Sequence, residues 1–565
     1  MTGIKRHTLC GMTHYLSDSF RLFLVLGLLI FLGGCSQSSR AEGVPGAGQS
    51  EAVLVSGQLV KWHPVTISFA GPNLREDGES PNPFMDYRLQ VALVSPSGEK
   101  LTVPGFFDGD GQGGGQGNVW RIRFAPHEEG TWRFEASFRE GTDIAVSLEG
   151  DAGERSWFDG EAGEFRVAGR DPDAKGFMRW GRLNYVNGHY LKFADGPFWI
   201  KGGVDSPENF LGFKGFDNTF NQGGKGILHE YAEHRRDWRE GDPIFVSSDH
   251  GVDGKGIIGA LNYLSEEAVN SIYFLPMNLG GDGQDTYPFL APENTVFNKL
   301  HYDISKLHQW DLVLNHAQEV GIALNIVLAE TEEANETWLD GGVLGRERKL
   351  FYRELIARFS YLLALKWNLS EETSYPPDSR RAFAGYIRAL DWANHPVTFH
   401  TPVDRISIYD THLGEPLFHA TSVQYGLERS SIFVETLRSA TAGAERPLVV
   451  DMDENNPGEN ALTDRNAKRL RKEALYPIYF SGGSVEWFFG SNRLPPGGDQ
   501  STEDFRTREE MYRYMRYARE FLETHTPFWD MEPADGLLDG ETEVGGRRGQ
   551  VFHRKGEVYA VYLPD

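Results

Sequence analysis

The sequence predicts a multidomain chain: an N-terminal antiparallel β-sandwich, then a (β/α)8 TIM barrel, with a short C-terminal β segment. Three patterns carry that reading. Between about 52 and 168, apolar and polar residues alternate in short runs broken by turn signals. From about 198 to 525, apolar runs alternate with amphipathic stretches of helical period. Beyond 528 the short β-like runs return.

The chain begins with basic Lys5, Arg6 and Arg21, then the uncharged apolar run Leu22–Leu32, then Leu32-Gly33-Gly34-Cys35. A basic start, a short apolar run and small residues before a cut site describe a secretory signal peptide, 1–35. The run is too short to span a bilayer, which takes about 20 apolar residues. Leu-Gly-Gly-Cys resembles the bacterial lipobox, and that resemblance implies cleavage before Cys35 and its lipidation. The expectation is an exported lipoprotein, membrane-anchored through its acyl chains, and Ser36 after the cysteine points to the outer membrane or cell surface. Residues 36–51 lack apolar periodicity and read as a flexible tether.

Cys10 and Cys35 are the only cysteines of the 565 residues. The exported body would therefore hold neither disulfide nor thiol, which excludes zinc–thiolate, iron–sulfur and cysteine-nucleophile chemistry. A chain of this length buries enough surface to need no disulfide. A net charge of −25 argues against nucleic acid as a partner. It also disfavours sulfated or uronic glycans, unless a local basic cleft overrides it. Aromatics are 13% of residues, with 13 Trp. Most such rings fill cores, although the same rings stack well on sugar faces.

In the sandwich segment, 52–168, period-two runs include Val65–Phe69, Tyr87–Val94, Val119–Phe124 and Thr131–Ala136, with turns at 95–98 and 126–130. Asp108-Gly109-Asp110-Gly111 has oxygen ligands at a spacing that suits Ca²⁺, but it lacks the Asp-x-Asp-x-Asp-Gly…Glu signature of a calcium loop and reads as a plain glycine-rich loop. In the barrel segment, 171–528, Asn187-Gly188 signals a tight hairpin. The predicted strands follow at 198–200, 271–275, 323–328, 364–367, 397–400, 417–419 (extending to 423), 448–450 and 485–488. Helical patterns lie at 307–320, 348–362, 379–394, 430–442, 468–480 and 506–522. Eight strands alternating with helices, without a phosphate-binding glycine loop, favour the barrel over a doubly wound sheet. Residues 529–565 hold one hairpin around Lys555-Gly556 and read as an incomplete β segment.

A barrel places its site at the carboxyl ends of its strands. Those ends carry Asn278 and Asp282 after strand two, Glu330 and Glu332 after strand three, and Asn368, Glu371 and Glu372 after strand four. Asp453 and Glu454 follow strand seven, and Glu486 and Trp487 close strand eight. Converging carboxylates raise one another's pKa and yield one proton donor beside one anion, the pair that glycoside hydrolysis needs. His-x-His, His-Glu-x-x-His and Gly-x-Ser-x-Gly are absent from the sequence, so neither a metal nor another cofactor is expected. The long insertion after strand one, 209–256, reads as a lid, with His229, His234 and Asp237 as candidate contacts or surface groups.

Trp62-His63-Pro64-Val65, Val103 to Gly109, Trp120 to Phe124 and Gly130-Thr131-Trp132 resemble the bacterial "domain of unknown function 5060". Phe198 to Gly203, Ser206-Pro207-Glu208-Asn209, Asn278 to Gly283, Tyr302 to Leu307 and Trp367 to Glu372 resemble the glycoside hydrolase-like barrel that follows it. The C-terminal piece resembles the start of a "putative collagen-binding domain". The resemblance implies secretion and polysaccharide processing without fixing a sugar. Barrels of clan A place the acid/base after strand four and the nucleophile after strand seven. Carried over, the acid/base is Glu371 or Glu372, and the nucleophile is Glu454 or Asp453. The clan's Asn-Glu dipeptide is absent here, since Leu369-Ser370 separates Asn368 from Glu371. Asn278, Asp282, Glu330, Glu332, Asn368, Glu486 and Trp487 are the expected substrate-binding residues. The expectation is thus a membrane-anchored retaining glycosidase of an extracellular polysaccharide. The alternative is a non-catalytic glycan-binding lipoprotein on a degenerate barrel.

Overall fold

The computed structural model describes residues 53–291, 297–332, 334–458, 464–490, 499–538 and 549–564. The expected signal peptide, Cys35 and the 36–51 tether lie outside the described residues.

Two antiparallel sheets form the N-terminal part. One pairs Val53–Gly57, Val65–Arg75, Gln116–Phe124 and Phe106–Phe107 in that order. The other orders Lys100–Pro104, Tyr87–Val94, Gly130–Glu140 and Glu154–Arg155, with Ala162–Val167 also on Gly130–Glu140. The period-two pattern sets which face is inside: Val65, Ile67 and Phe69 are buried, as are Trp132, Phe134, Ala136 and Phe138. Rings from the two sheets meet across the gap, Trp120 against Phe138 at 4.8 Å. Burying each such side chain contributes about 2–3 kcal/mol.

The second part is a curled parallel sheet. Its seven strands run in the order Val397–Thr398, Leu365–Asn368, Ala323–Val327, Ser271–Phe274, Gly202–Val204, Ser484–Trp487 and Asp451–Met452. Segment 419–423 touches both ends of that path, through parallel bridges His400–Ser422 and Ala420–Val449. Its amides bond likewise, His419 N–H to Val397 O at 3.0 Å and Thr421 N–H to Val449 O at 2.8 Å. Helices Lys255–Glu266, Ile304–Val320, Arg346–Phe359, Pro377–Leu390, Ser430–Gly443 and Glu509–His525 alternate with the strands. Ile304–Val320 shows why the ends fall where they do. Asp303 caps it by accepting from Lys306 N–H at 3.0 Å, and Gly321 ends it at φ 85°. The 467–480 helix widens to a π turn at Arg471–Leu475, just before Pro477. Proline has no N–H for the preceding turn, and the Glu473 carbonyl accepts from Ser430 Oγ at 3.5 Å.

Two expectations fail locally. The first parallel strand is Gly202–Val204, not 198–200. Phe198–Trp199 instead completes an antiparallel sheet with Leu191–Phe193 and Leu183–Tyr185. The reason is close packing: a Cβ on Gly203 would lie 2.7 Å from Glu486 Cγ and from Ser271 O, so the strand is built of glycines that carry no strand propensity. The Asn187-Gly188 hairpin forms, but with Tyr185 opposite Leu191 its loop is longer than two residues. At the C-terminus Glu532–Pro533, Gln550–Arg554 and Val558–Tyr562 make a three-stranded sheet. It packs on the second part through Tyr562 and Tyr476, whose centroids are 5.3 Å apart. Among the described residues, no helix is long and apolar enough to cross a membrane.

Candidate active site

Strand ends bring three side chains together. Glu371 follows Leu365–Asn368 and is pinned by its N–H to Ala329 O at 2.8 Å. Its loop is held by the buried Glu336, which accepts from Ser370 Oγ at 2.7 Å and Thr373 Oγ1 at 3.0 Å. Glu454 begins the short strand Glu454–Asn456, in parallel register with Gln424–Gly426. His400 ends the Val397–Thr398 segment. One oxygen of Glu371, one of Glu454 and a ring nitrogen of His400 all lie within 4.8 Å of one another. Glu371 and Glu454 are 4% and 6% exposed, and His400 is fully buried.

The environments push these groups apart in charge. Burial, then the charges of Glu332, Glu454 and Asp205, drive the Glu371 carboxyl well above the usual glutamate range. Both causes favour its protonated form. Glu454 receives Gln424 Nε2–H at 2.6 Å on Oε1, a bond that favours its anion. Burial lowers His400 to about 3, so it is neutral. Its Nδ1 faces the Glu372 N–H at 3.3 Å, which leaves Nε2 to carry the hydrogen towards Glu454 Oε2, 3.9 Å away. Beside this trio Glu332 and Glu372 form a carboxyl pair, and burial raises both above the usual glutamate range. Burial, then the charge on Glu372, pushes Glu332 up to about 8.

Asp453 and Glu486 sit elsewhere. Both are fully buried in a lysine–carboxylate network. Lys201 Nζ contacts Asp453, lies 3.0 Å from Glu486 and 3.2 Å from Asp451. Lys366 Nζ is 2.8 Å from Asp451 and 3.1 Å from Asp453. Asn325 Nδ2 donates to Glu486 at 2.7 Å. Burial would raise the Asp453 carboxyl, but Lys201 and Lys366 hold it below the usual aspartate range. Asn368 is buried and donates to Ser422 Oγ at 3.1 Å. Trp487 is 1% exposed and packs in the core, presenting no open ring face.

The remaining candidates build the rim. Asn278 staples the 279–286 loop, accepting from Asp285 and Thr286 N–H at 3.0 and 2.8 Å and donating to Asp285 Oδ1 at 2.8 Å. Asp282 accepts from Gln500 and lies 3.6 Å from Lys225. Glu330 bridges in register with Glu371, and a Cβ on Gly281 would collide with its carboxylate. In the 209–256 insertion, His229 contacts Glu503 at 2.7 Å and Asn209 at 2.8 Å, while His234 contacts Asp237 at 3.0 Å. These hold the insertion to 503–506. In the sandwich, Asp108 pairs with Arg121, and Asp110 accepts from its own loop's amides at 2.7 and 2.8 Å.

The strand-end rule does not single out His400, Gln424, Asp205 or Lys201. A lone histidine or glutamine has no spacing signature. Lys201 and Lys366 did carry a signal, because a lysine inside a buried strand must have a carboxylate partner.

Residues 58–139 match the family model "Domain of unknown function (DUF5060)". The chain is similar in fold to a protein from Bacteroides vulgatus ATCC 8482 described as a "putative glycoside hydrolase". The two are 17% identical with a TM-score of 0.55, over 81% of this chain and 78% of that one. The fold is glycoside hydrolase-like. Weaker likenesses include a glycoside hydrolase family 5 protein from the same organism, 14% identical over 67% of this chain and 80% of that one, TM-score 0.44. A family 5 mannosidase from Rhizomucor miehei is 11% identical over 60% and 99%, TM-score 0.41. No curated protein matches the chain.

Proposed function

We propose that the chain is a retaining glycoside hydrolase that cleaves an extracellular polysaccharide, with Glu371 as acid/base and Glu454 as nucleophile. We read the curled sheet, with 419–423 as its sixth strand, as a (β/α)8 barrel, and Cys35 as its lipid anchor. The observation that carries the reading is the pairing of a buried Glu371, in surroundings that favour its protonated form, with Glu454, one oxygen of each within 4.8 Å. Retaining enzymes hold their carboxyls about 5–5.5 Å apart, whereas inverting ones leave about 6.5–9.5 Å for water. In the first step a Glu454 oxygen attacks the anomeric carbon. The bond to the leaving oxygen breaks, and that oxygen takes the Glu371 proton. In the second step Glu371 removes a proton from water, which attacks the same carbon and frees Glu454. Asp453 is locked by two lysines, so this reading gives the nucleophile to Glu454. Glu372, paired with Glu332, is left as a rim residue.

Purified protein assayed on a polysaccharide panel tests this. Glu371→Gln and Glu454→Gln should each lower kcat by about 10²–10⁴-fold, with no effect of EDTA on the wild type. Activity that survives both substitutions removes the assignment. Loss of activity on chelation would instead favour a cation held by Glu371, His400 and Glu454. Glycan binding by a wild type with no turnover would favour the non-catalytic alternative.

A further inference from the structure

We propose that a cavity at the opposite end of the parallel sheet from Glu371 binds acidic, uronate-bearing oligosaccharide chains. The cavity is about 750 Å³ and is lined partly by residues that precede the strands, such as Asn270 and Gly321. That volume is in the range of ligand sites, about 300–1,000 Å³. Its walls are aromatic: Trp180, Phe198, Trp199 and Trp529 all line it. Phe198 and Trp529 stack at 5.0 Å with an interplanar angle of 3°, and Trp529 remains 45% exposed. The exposed indole is continuous with the aromatic lining, and a contiguous apolar patch of that kind marks a ligand-binding groove.

Two cations stand over these rings. The Arg179 guanidinium lies 3.9 Å from the Trp180 centroid, and the Lys192 ammonium 5.1 Å from that of Phe198. Among the described residues, neither forms an ion pair. Arg519, also in the lining, is balanced by Glu523 at 3.9 Å. The cavity therefore carries two uncompensated positive charges in a chain of net −25. A polyanion repelled by the rest of the surface is drawn here. The rings favour a ligand with a flat C–H face, and Arg179 and Lys192 favour an anion. A uronic sugar offers both. An anionic lipid would satisfy the cations, but its acyl chain would leave Arg519 Nε, which has no hydrogen-bond partner, and Glu523 desolvated. A hydroxylated ring can pair them.

This site stands apart from the candidate active site, so the two readings fail separately. Calorimetric titration of the purified protein with an oligogalacturonate should show salt-sensitive binding, and a neutral cello-oligosaccharide should bind at least about tenfold more weakly. Trp529→Ala should weaken oligogalacturonate binding about tenfold. The double variant Arg179→Gln/Lys192→Gln should abolish the salt-sensitive part. All three side chains are at the surface or rim, so melting temperatures should hold, as should turnover on any substrate of the Glu371 site. No binding of oligogalacturonate overturns the proposal, as does equal binding of the neutral sugar or binding unchanged in both variants. Phosphatidylglycerol vesicles that bind in place of the oligosaccharide, through the same residues, overturn it in favour of a lipid site.

Discussion

Glu332 and Glu372 place two carboxyls where one charge is tolerable. Glu332 is pushed up to about 8 by burial and by Glu372, against an ordinary value of about 4.5. The folded chain thus holds a proton that the unfolded chain releases at lower pH. Stability from this group is complete below the ordinary glutamate pKa and is lost as pH rises through about 8. Glu332→Gln removes that dependence. The variant should gain about 1–2 kcal/mol over the wild type at pH 8 and nothing at pH 4. Urea titrations at the two pH values check it, and a pH-independent difference would mean that Glu332 holds no such proton. The same strand-end logic that finds Glu371 and Glu454 also selects Asp453 and Glu486. Sequence alone does not separate a carboxylate facing a cleft from one facing a lysine two strands away. That distinction depends on Lys201 and Lys366 converging on Asp451 and Asp453, a contact across more than 80 residues of chain.

At the level of elements, the lysine–carboxylate network ties together the Gly202–Val204, Leu365–Asn368, Asp451–Met452 and Ser484–Trp487 strands. Lys201 Nζ lies 3.0 Å from Glu486 and also contacts Asp453. Replacing it with Met leaves Asp453 and Glu486 under-compensated in a dry interior. Breaking a buried pair in that way costs about 3–5 kcal/mol. Lys201→Met should lose that amount at pH 7, and less at pH 5, where the orphaned carboxylates take up protons. Lys201→Met/Glu486→Gln should recover part of it. A loss below about 1 kcal/mol at both pH values would show that the network does not bear on stability. Helices and long strands were legible in the pattern because their periodicity spans many residues. The first parallel strand was not. Its three residues include two glycines, chosen by the approach of Glu486 and Ser271 rather than by any local preference. The apolar Phe198–Trp199 nearby carries the stronger local signal and belongs to a different sheet.

Across the whole molecule, the N-terminal sheets and the helices of the parallel-sheet part share a buried polar seam. Arg353, from the Arg346–Phe359 helix, donates to Leu89 O at 2.9 Å and Gly105 O at 3.2 Å. Arg358 donates to Phe107 O at 2.8 Å and faces Asp108 at 3.6 Å. Arg123 of the sandwich pairs with Asp311 of the Ile304–Val320 helix at 2.9 Å, and Tyr361 Oη reaches the same carboxylate at 2.9 Å. Arg353 and Arg358 are each 2% exposed. Such groups are tolerable only while the opposite surface supplies their acceptors. Neither part can therefore open the seam and keep its own stability, which couples their unfolding. The chain should melt in one calorimetric transition, with van't Hoff and calorimetric enthalpies in agreement. Arg358→Met should destabilise it by about 2–4 kcal/mol, because the Phe107 carbonyl and Glu354 lose their cationic partner and Asp108 is left with Arg121, and should move the whole transition together. Two resolved transitions, only one of them shifted by Arg358→Met, would mean that the sandwich folds independently and the seam is a docking contact. A single shifted transition makes the sandwich part of what holds the Glu371 loop in place, since that loop follows directly from the strand after the Arg346–Phe359 helix.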